Sequence, residues 1–547
     1  MKVITSNTEP VALYPQVKQK YKNDEEKQTV IIGIPPVPDY AAQIYAEFKT
    51  KTYGLTYGIT LYSDVNDTSK NVFIDATTKD NIKVSLEDYV GFGILRATSI
   101  DVSKVNWNKI QILSKALCGG TFDDVIDFTK WNTSNVVDMS HMFESCTFST
   151  NQNFRDVIKL NTSKVKNMSY MFADTYVKGT TTPYKFDVTG LNTVNVEDMS
   201  YMFFETVVTK IDFDTSKVKT MKGMFSCNNN IDVDGKDGIF DLTSFNTSNV
   251  EDMSYMFKHT PYIRYYGKGI DMSSFDTSKV KDMSYMFAEN DEATDIDLSN
   301  FDTRNVINVS HMFENDKKLT KPKGLETFNM SNVKDMCYIF HNCNGFKQLD
   351  LSNWNTSNVE NMEGMFEDCS KITSLNVSSW NTSNVKNMNY MFHNCIELQQ
   401  LDLSNWNTSN VENMEGMFED CDKITSLNVS SWDTSNVKNM GSMFEYCYGL
   451  TSLDLSNWNT YNVENIKGMF ASCKNLKSLN ISNFDLTNAK FDTSTYKLNF
   501  VFNNCPALTE VNVSNCNEYT KNKILSLIKD DLNGKWFLGN DGIIRKQ

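Results

Sequence analysis

One motif recurs along most of this chain. The segment WNTSNVENMEGMFEDC occurs at 354–369 and unchanged at 406–421, and looser copies run from Trp131 to Phe484. The residue that starts each Met-Phe pair, or its equivalent, is spaced by 26 residues throughout 339–469. A module repeated at such a period buries its apolar face only against its neighbours. The sequence therefore predicts a solenoid of about fourteen coils.

Comparison of the coils with one another assigns a structure to each position. In the coil that starts at Leu349, Leu349 and Leu351 alternate with polar residues, which predicts a short strand with one buried face, stacked in parallel on the strands of neighbouring coils. Further apolar residues lie at helical spacing and predict one helical or 3₁₀ turn on the other side. They are Val359, Met362, Met365 and Phe366. The predicted fold class is an α/β repeat solenoid of parallel strands with short helical turns.

Three polar positions have a consistent chemistry. The residue after the aromatic that follows the strand is Asn or Asp in every coil, for example Asn355, which predicts an oxygen that caps backbone amides at a turn. The next position is Thr in most coils but Met330 and Leu486 in two, so we expect it to point inward. The position after that admits Arg304 and Tyr461, so we expect it to face solvent.

Most of the twelve cysteines occupy one position, four residues after the start of the Met-Phe pair. Sulfur atoms of neighbouring coils would then lie about 4.8 Å apart, the spacing of strands. A disulfide needs Cβ atoms about 3.8 Å apart and a specific torsion. We therefore expect buried free thiols that act as small hydrophobes, and no CxxC pair supports a metal or redox function.

The pattern LxLSxWxTSNVxxMxxMFxxCxxL resembles the BspA-type leucine-rich repeat, a 26-residue repeat of surface proteins of mycoplasmas, Bacteroidetes and some phages. The resemblance covers roughly residues 125–505. It implies a leucine-rich-repeat solenoid and adhesion to host proteins or cell surfaces, and it implies no enzyme. Members on bacterial surfaces normally carry a signal peptide or an anchor, and this sequence shows neither, so we expect display by another route.

The ends of the chain lack the repeat. Apolar and aromatic runs such as TVIIGI at 29–34 predict a small β-rich domain before the array. Exposed ends of a solenoid must be covered. The predicted organisation is a β-rich N-terminal attachment domain at 1–104, an N-terminal cap at 105–124, the solenoid at 125–505, and a C-terminal cap of a helix and a hairpin at 506–547.

Charge and motifs exclude several functional classes. The net charge is −15, and the sequence has no stripe of basic residues of the kind that a nucleic-acid partner requires. It also has no run of about 18 apolar residues, so direct membrane insertion is not expected. No Walker, Rossmann, G-x-S-x-G or H-E-x-x-H fingerprint is present. The five histidines are interpreted as solvated surface residues, so we expect neither an enzyme nor a cofactor.

Candidate binding residues fall into three groups. The insertion at 259–269 carries residue types enriched at binding hot spots: Tyr262, Arg264, Tyr265 and Tyr266. A stripe of tyrosines precedes the Met-Phe pairs, and it either stacks on sugars or partner aromatics or covers the core: Tyr170, Tyr201, Tyr255 and Tyr285. A Gly-containing loop with three carboxylates either holds Ca²⁺ or is an ordinary acidic loop: Asp232, Asp234 and Asp237.

Three functions fit these observations. The first is a non-enzymatic receptor-binding protein on a phage virion, as a tail or head appendage, or on a cell exterior. Its partners would be a protein or glycan receptor on a cell surface and other subunits of the assembly, the latter bound through residues 1–104. The second is a bacterial surface adhesin. The third is a structural decoration or spacer protein of a large assembly with no receptor of its own.

Overall fold

The computed structural model divides the chain into two compact units, Met1–Asp276 and Thr277–Gln547. It describes residues 28–32, 49–50, 55–63, 71–77, 84–85, 96–97, 99–101, 107, 110–122, 128–148, 157–177, 186–206, 208–227, 240–260, 270–320, 322–491 and 500–547.

Short strands precede the repeats in the first unit. These strands are β1 Gln28–Ile32, β2 Lys49–Thr50, β3 Leu55–Ser63, β4 Asn71–Thr77, β5 Val84–Ser85, β6 Arg96–Ala97, β7 Ser99–Asp101, β8 Ile110–Ile112 and β9 Thr121–Phe122. Strand β3 lies between β1 and β4 in antiparallel pairing, β7 pairs in parallel with β4, β2 pairs with β3, and β5 pairs with β8. The assignment of residues 1–104 to an attachment domain stays a prediction.

The repeats of both units stack short strands in parallel, as the alternation of leucine with polar residues predicts. In the first unit these are β10 Thr147–Phe148, β11 Tyr176–Val177, β12 Phe186–Asp187, β13 Val208–Lys210, β14 Phe240–Asp241 and β15 Ile270–Asp271. In the second unit they are β16 Gln348–Asp350, β17 Ser374–Asn376, β18 Ser452–Asp454, β19 Ser478–Asn480 and β20 Glu510–Asn512. Identical positions pair, so that Leu349 lies beside Leu375 and Leu453 beside Leu479. The leucine-rich-repeat solenoid is confirmed.

The predicted helical turn at the Met-Phe pair is wrong. Residues 363–368 form turns in which backbone bonds alternate between the same coil and the next. Thus Phe366 N donates to Met391 O of the next coil (2.9 Å), whereas Glu367 N donates to Gly364 O of its own coil (3.0 Å). Gly364 and Asp368 have φ values of 53° and 60°. Left-handed residues break a right-handed helix and turn the amides toward the neighbouring coil.

Aromatic rings fill the core of the repeats. In the second unit, the Phe rings of successive Met-Phe pairs stack face to face, and the centroids of Phe392 and Phe418 lie 5.6 Å apart. A parallel stack of indoles lies beside them, with Trp406 and Trp432 6.4 Å apart. These side chains are at most 3% exposed. Each coil thus buries its rings against the coil before and the coil after, which is why single coils cannot fold alone.

The predicted polar positions are confirmed. Asn355 Oδ1 accepts a hydrogen bond from Ser357 N (3.1 Å), which caps the turn that leaves the strand. The neighbouring Thr356 is 1% exposed, and its hydroxyl donates to Asn381 O of the next coil (3.0 Å). Tyr461, at the position predicted to face solvent, is 53% exposed.

Ten of the twelve cysteines are buried thiols, which confirms the prediction, whereas Cys118 and Cys227 are half-buried. The cysteine position four residues after the start of the Met-Phe pair has a further function that the sequence did not reveal. Cys421 Sγ donates to Phe392 O of the preceding coil (3.2 Å). In three coils without the cysteine, Thr175, Thr206 or Thr260 takes the same place, and Thr175 Oγ1 donates to Phe143 O (2.7 Å). The thiol is therefore both a small apolar group and a hydrogen-bond donor to a buried carbonyl.

The C-terminal end of the second unit is a helix followed by a hairpin. Helix α1, Glu518–Asp531, begins after Asn517, whose side chain accepts from Thr520 N (2.8 Å) and caps the first turn. Strands β21 Trp536–Leu538 and β22 Ile543–Lys546 form the hairpin. Strand β22 pairs antiparallel with β20, so it covers the last strand edge of the array.

Candidate functional site

The strand ladder of the second unit is interrupted within the duplicated coils. Strands β16 and β17 occupy residues 348–350 and 374–376, but the equivalent residues 400–402 and 426–428 lie outside any strand. Gln400 keeps a single bridge to Ser374. The regular ladder resumes only at β18. Nearly identical sequence therefore adopts two backbone arrangements, and the second leaves a gap between coils.

A groove of about 840 Å³ lies at this gap. Its wall carries hydroxyl, amide, carboxylate and ammonium groups around leucine side chains. It is lined by Ser374, Leu375, Asn376, Val377, Ser378, Gln399, Gln400, Leu401, Asp402, Lys423, Thr425 and Ser426. Leu401 and Leu427 are half-buried, as is Leu349 in strand β16, whereas Leu375 and Leu453 are 5% and 4% exposed. The groove thus offers apolar contact area and polar partners on one surface.

The tyrosine stripe forms stacked edges within each unit. In the first unit, Tyr170 stacks between His141 (4.6 Å between centroids) and Tyr201 (4.8 Å). Tyr255 lies between two ammonium groups, with Lys222 Nζ 5.4 Å and Lys258 Nζ 5.6 Å from its ring centroid. Burial raises the pKa of Tyr201 to about 12. All of these rings are half-buried.

The second unit has a stripe of its own, in which Tyr285 stacks on His311 (4.2 Å) and His311 on Tyr338 (5.0 Å). Glycine occupies the tyrosine position in coils whose backbone is covered by the tyrosine ring of the preceding coil. A Cβ added at Gly364 would lie 2.2 Å from the Tyr338 ring, and one at Gly416 2.4 Å from Tyr390. The rings therefore cover the backbone of the next coil. A binding function of Tyr170, Tyr201, Tyr255 and Tyr285 stays a prediction.

Two predicted groups lie outside the described residues. They are the insertion residues Tyr262, Arg264, Tyr265 and Tyr266 and the carboxylates Asp232, Asp234 and Asp237. The binding and calcium hypotheses attached to them stay predictions.

The interpretation of the histidines as solvated surface residues is wrong for His341 and His393. Their side chains are 21% and 25% exposed, and each lies between carboxylates of the coils before and after it. His341 Nδ1 is 3.1 Å from Glu314 Oε1, and its Nε2 is 3.3 Å from Asp368 Oδ2. The alternation of acid and histidine at the position after the Phe was the sequence signal.

The acidic and histidine side chains that alternate at this position form a charged ladder, and they shift one another's pKa values. Burial opposes the imidazolium, but hydrogen bonds with Asp368 and Glu314 raise the pKa of His341 to about 9. Burial likewise opposes the Glu314 carboxylate, but His311 and His341 lower its pKa to about 2. At the far end, burial and neighbouring carboxylates raise the pKa of Glu419 to about 7. Along the array, the charged ladder therefore changes from paired histidines and carboxylates to carboxylates that lack a balancing positive charge.

The parallel strand ladders, the one-coil repeat and the ring stacks define a leucine-rich-repeat solenoid of the BspA-like class. The chain belongs to the family DUF285, described as a Mycoplasma protein of unknown function. Its model matches residues 92–177, 111–236, 175–264, 239–347, 318–427 and 396–515. Together these segments span well over half of the chain.

The chain is also similar to several solved structures of leucine-rich repeat proteins. A leucine-rich repeat protein from Eubacterium ventriosum is 14% identical over 76% of this chain and 92% of that protein, with a TM-score of 0.37. A leucine-rich cell surface protein from Faecalibacterium prausnitzii is 12% identical over 82% and 96% (TM-score 0.24). An LRR protein from Leptospira interrogans is 10% identical over 79% and 88% (TM-score 0.22).

The comparison with curated proteins gives no significant match. Among the described residues, no helix has both the length and the apolar character to cross a bilayer.

Proposed function

We propose that this protein is a non-enzymatic binding protein of a cell exterior or virion, and that the groove at residues 374–426 holds an extended segment of a protein receptor. The interrupted strand ladder carries the proposal. Residues 400–402 and 426–428 retain the sequence of strands without pairing as strands, so their backbone can pair with an added strand.

The side chains of the groove fit the same kind of ligand. In an added strand, alternate side chains point toward the wall and need apolar pockets. The half-buried Leu401 provides such a contact beside Asp402 and Lys423, which provide one charge of each sign. Polar groups around an apolar centre are the composition of a protein interface.

The experiment uses a displayed library of random peptides, selected against the full chain. Gln400→Arg and Ser426→Arg place long cations at the gap, and we expect each to weaken the selected peptides at least 30-fold, the loss that corresponds to about 2 kcal/mol at an interface centre. Ser452→Arg is the matched control, because Ser452 is the equivalent exposed residue in the regular strand β18. Equal binding by all variants, or no selected peptide, would contradict a peptide-binding groove.

The location and the attachment module require a separate test. We propose that residues 1–104 fasten the protein to a larger body and that Tyr262, Arg264, Tyr265 and Tyr266 contribute to receptor contact. Copurification with virions or with bacterial envelopes distinguishes the two locations. A chain that starts near Val105 should still fold but should not assemble. Replacement of the four insertion residues with Ser should preserve assembly and weaken cell attachment. Normal assembly of the truncated chain would favour a purely structural function.

A further inference from the structure

Metal-ligating side chains meet at two equivalent places outside the groove. His341, Glu367 and Asp368 each offer one ligand atom, and these atoms lie within 4.8 Å of one another. Two coils further along the chain, the group His393, Glu419 and Asp420 meets the same condition. In both groups the histidine comes from one coil and the two carboxylates from the next.

We propose that each group binds a divalent transition metal ion of the zinc class through His Nε2 and the two carboxylates. Zinc takes these donors at about 2.0–2.2 Å, so two ligands of a tetrahedral ion lie about 3.4 Å apart. His341 Nε2 and Asp368 Oδ2 are separated by 3.3 Å, and His393 Nε2 and Asp420 Oδ2 by 3.9 Å. The first pair is already at ligand spacing, and the second needs a small side-chain movement.

The surroundings of each histidine provide an independent reason for a metal. Metal-binding histidines typically donate their second ring nitrogen to a carboxylate, which fixes the tautomer and aims the other nitrogen at the ion. Glu314 Oε1 lies 3.1 Å from His341 Nδ1, and Glu367 Oε1 lies 3.2 Å from His393 Nδ1. Asn394 also donates to Asp368 Oδ1 (2.7 Å), which leaves Oδ2 facing the histidine.

The choice of metal follows from the donors and their exposure. Imidazole favours zinc and related transition ions, whereas calcium and magnesium prefer oxygen ligands alone. The side chains of His341 and Asp368 are 21% and 36% exposed, so an ion from solvent reaches them without an opening of the core. Three protein ligands leave a fourth position for water or for a donor from a partner.

One carboxylate belongs to both sites, so its substitution should affect metal binding at both. Glu367 is a ligand in the first group and the carboxylate that orients His393 in the second. Glu419 is a ligand in the second group only. Glu367→Gln should therefore weaken both sites, with a 10- to 100-fold loss at the second, as is typical for outer-shell partners. Glu419→Gln should weaken the second site alone.

The full chain is titrated with Zn²⁺ and with Co²⁺ in the presence of a reductant that contains no thiol. Calorimetry measures the binding of each ion, and the visible absorption bands report the coordination of Co²⁺. We expect two equivalents to bind, and His341→Gln and His393→Gln to remove one each. His141→Gln is the matched control: His141 pairs with Glu144 and stacks on Tyr170, but it belongs to neither group. Circular dichroism verifies that each variant is folded.

Several results would overturn the proposal. One is the absence of binding below about 100 μM Zn²⁺, in which case the histidines are imidazolium ions between carboxylates. Another is an unchanged stoichiometry in both histidine variants. A third is a thiolate-to-cobalt charge-transfer band, which would assign the metal to cysteine. Equal displacement of Zn²⁺ by Ca²⁺ would indicate an unspecific acidic surface. If a histidine variant fails to fold, Glu419→Gln and Glu367→Gln decide between the same alternatives.

Discussion

The hydrogen-bond function of the cysteine position is tested by replacing three consecutive cysteines, Cys395, Cys421 and Cys447, with Val in one variant and Thr in another. Val and Thr have nearly the same shape but differ in the hydroxyl. Each thiol donates to the Phe carbonyl of the preceding coil at 3.0–3.2 Å. Thr260 makes the same bond at 3.0 Å, so we expect the Thr variant to keep all three bonds.

The magnitude follows from the acceptor. An intramolecular hydrogen bond contributes about 0.5–1.5 kcal/mol. Phe392 O also accepts from Cys395 N (3.2 Å), so the Val variant leaves one lone pair rather than the whole carbonyl unpaired. The lower half of that range applies, and three coils sum to about 1.5–3 kcal/mol because coil contributions add. The Val variant should unfold at lower urea than the Thr variant under reducing conditions.

Two outcomes would refute this reasoning. If the Val and Thr variants unfold at the same urea concentration, the thiol contributes volume alone. If the Thr variant is the less stable one, its hydroxyls are buried without an acceptor, and the equivalence of Thr and Cys at this position is wrong. The parent chain, measured in parallel, shows whether the weaker thiol donor lies between the two.

Phe418→Ala should lower the free energy of unfolding by about 3–5 kcal/mol, measured with urea, because the ring is fully buried between two stacked Phe rings. An unchanged urea midpoint would mean that the inside and outside of the coil are assigned the wrong way round. Burial raises the pKa of Asp316 well above its usual range, and its Oδ2 has no partner. The neutral Asp316 carboxyl therefore contributes its full stability below the pKa that it has in the unfolded chain, and this stability is lost as pH rises through its pKa in the folded chain. Asp316→Thr should thus make the folded chain more stable than the parent by about 1–3 kcal/mol at pH 8, and by less at pH 4. Equal stabilisation at both pH values would contradict a buried neutral acid. Deletion of two coils, 375–426, should leave the midpoint near that of the parent, whereas deletion of 375–400 alone should lower it, because it places like charges of neighbouring coils together.

The sequence predicts the inside and outside of each coil well because fourteen copies vary under the same constraints. A position that exchanges Thr for Leu486 has to be buried, and one that admits Tyr461 has to be exposed. The same comparison predicts the caps, since an Asn or Asp oxygen of the kind seen at Asn355 satisfies an amide two residues later. These features depend on neighbours along the chain, which a sequence displays directly.

The helical turn was predicted wrongly because helical spacing does not determine backbone handedness. Met362, Met365 and Phe366 point to one side in a turn with left-handed residues as well as in a helix. Glycine at Gly364 and Asp at Asp368 are residue types that tolerate positive φ and were the available signal. The groove was not predictable in this way, since 349–374 and 401–426 differ at one residue and still adopt different strand pairing.

The alternation of charge between coils explains why the array repeats in pairs. Glu360 lies between Lys334 (3.9 Å) and Lys386 (2.7 Å) of the adjacent coils. At a second position, His341 lies between acidic coils and pairs with Glu314. Duplication of the coil that carries Glu360 alone would place Glu beside Glu at both positions. Duplication of a pair of coils keeps each Glu beside the Lys or His of the neighbouring coil. Each exposed pair contributes only about 0–1 kcal/mol, but several such pairs meet at one junction. The unit that can be duplicated without electrostatic cost is therefore the 52-residue pair of coils, which is the unit that the sequence repeats.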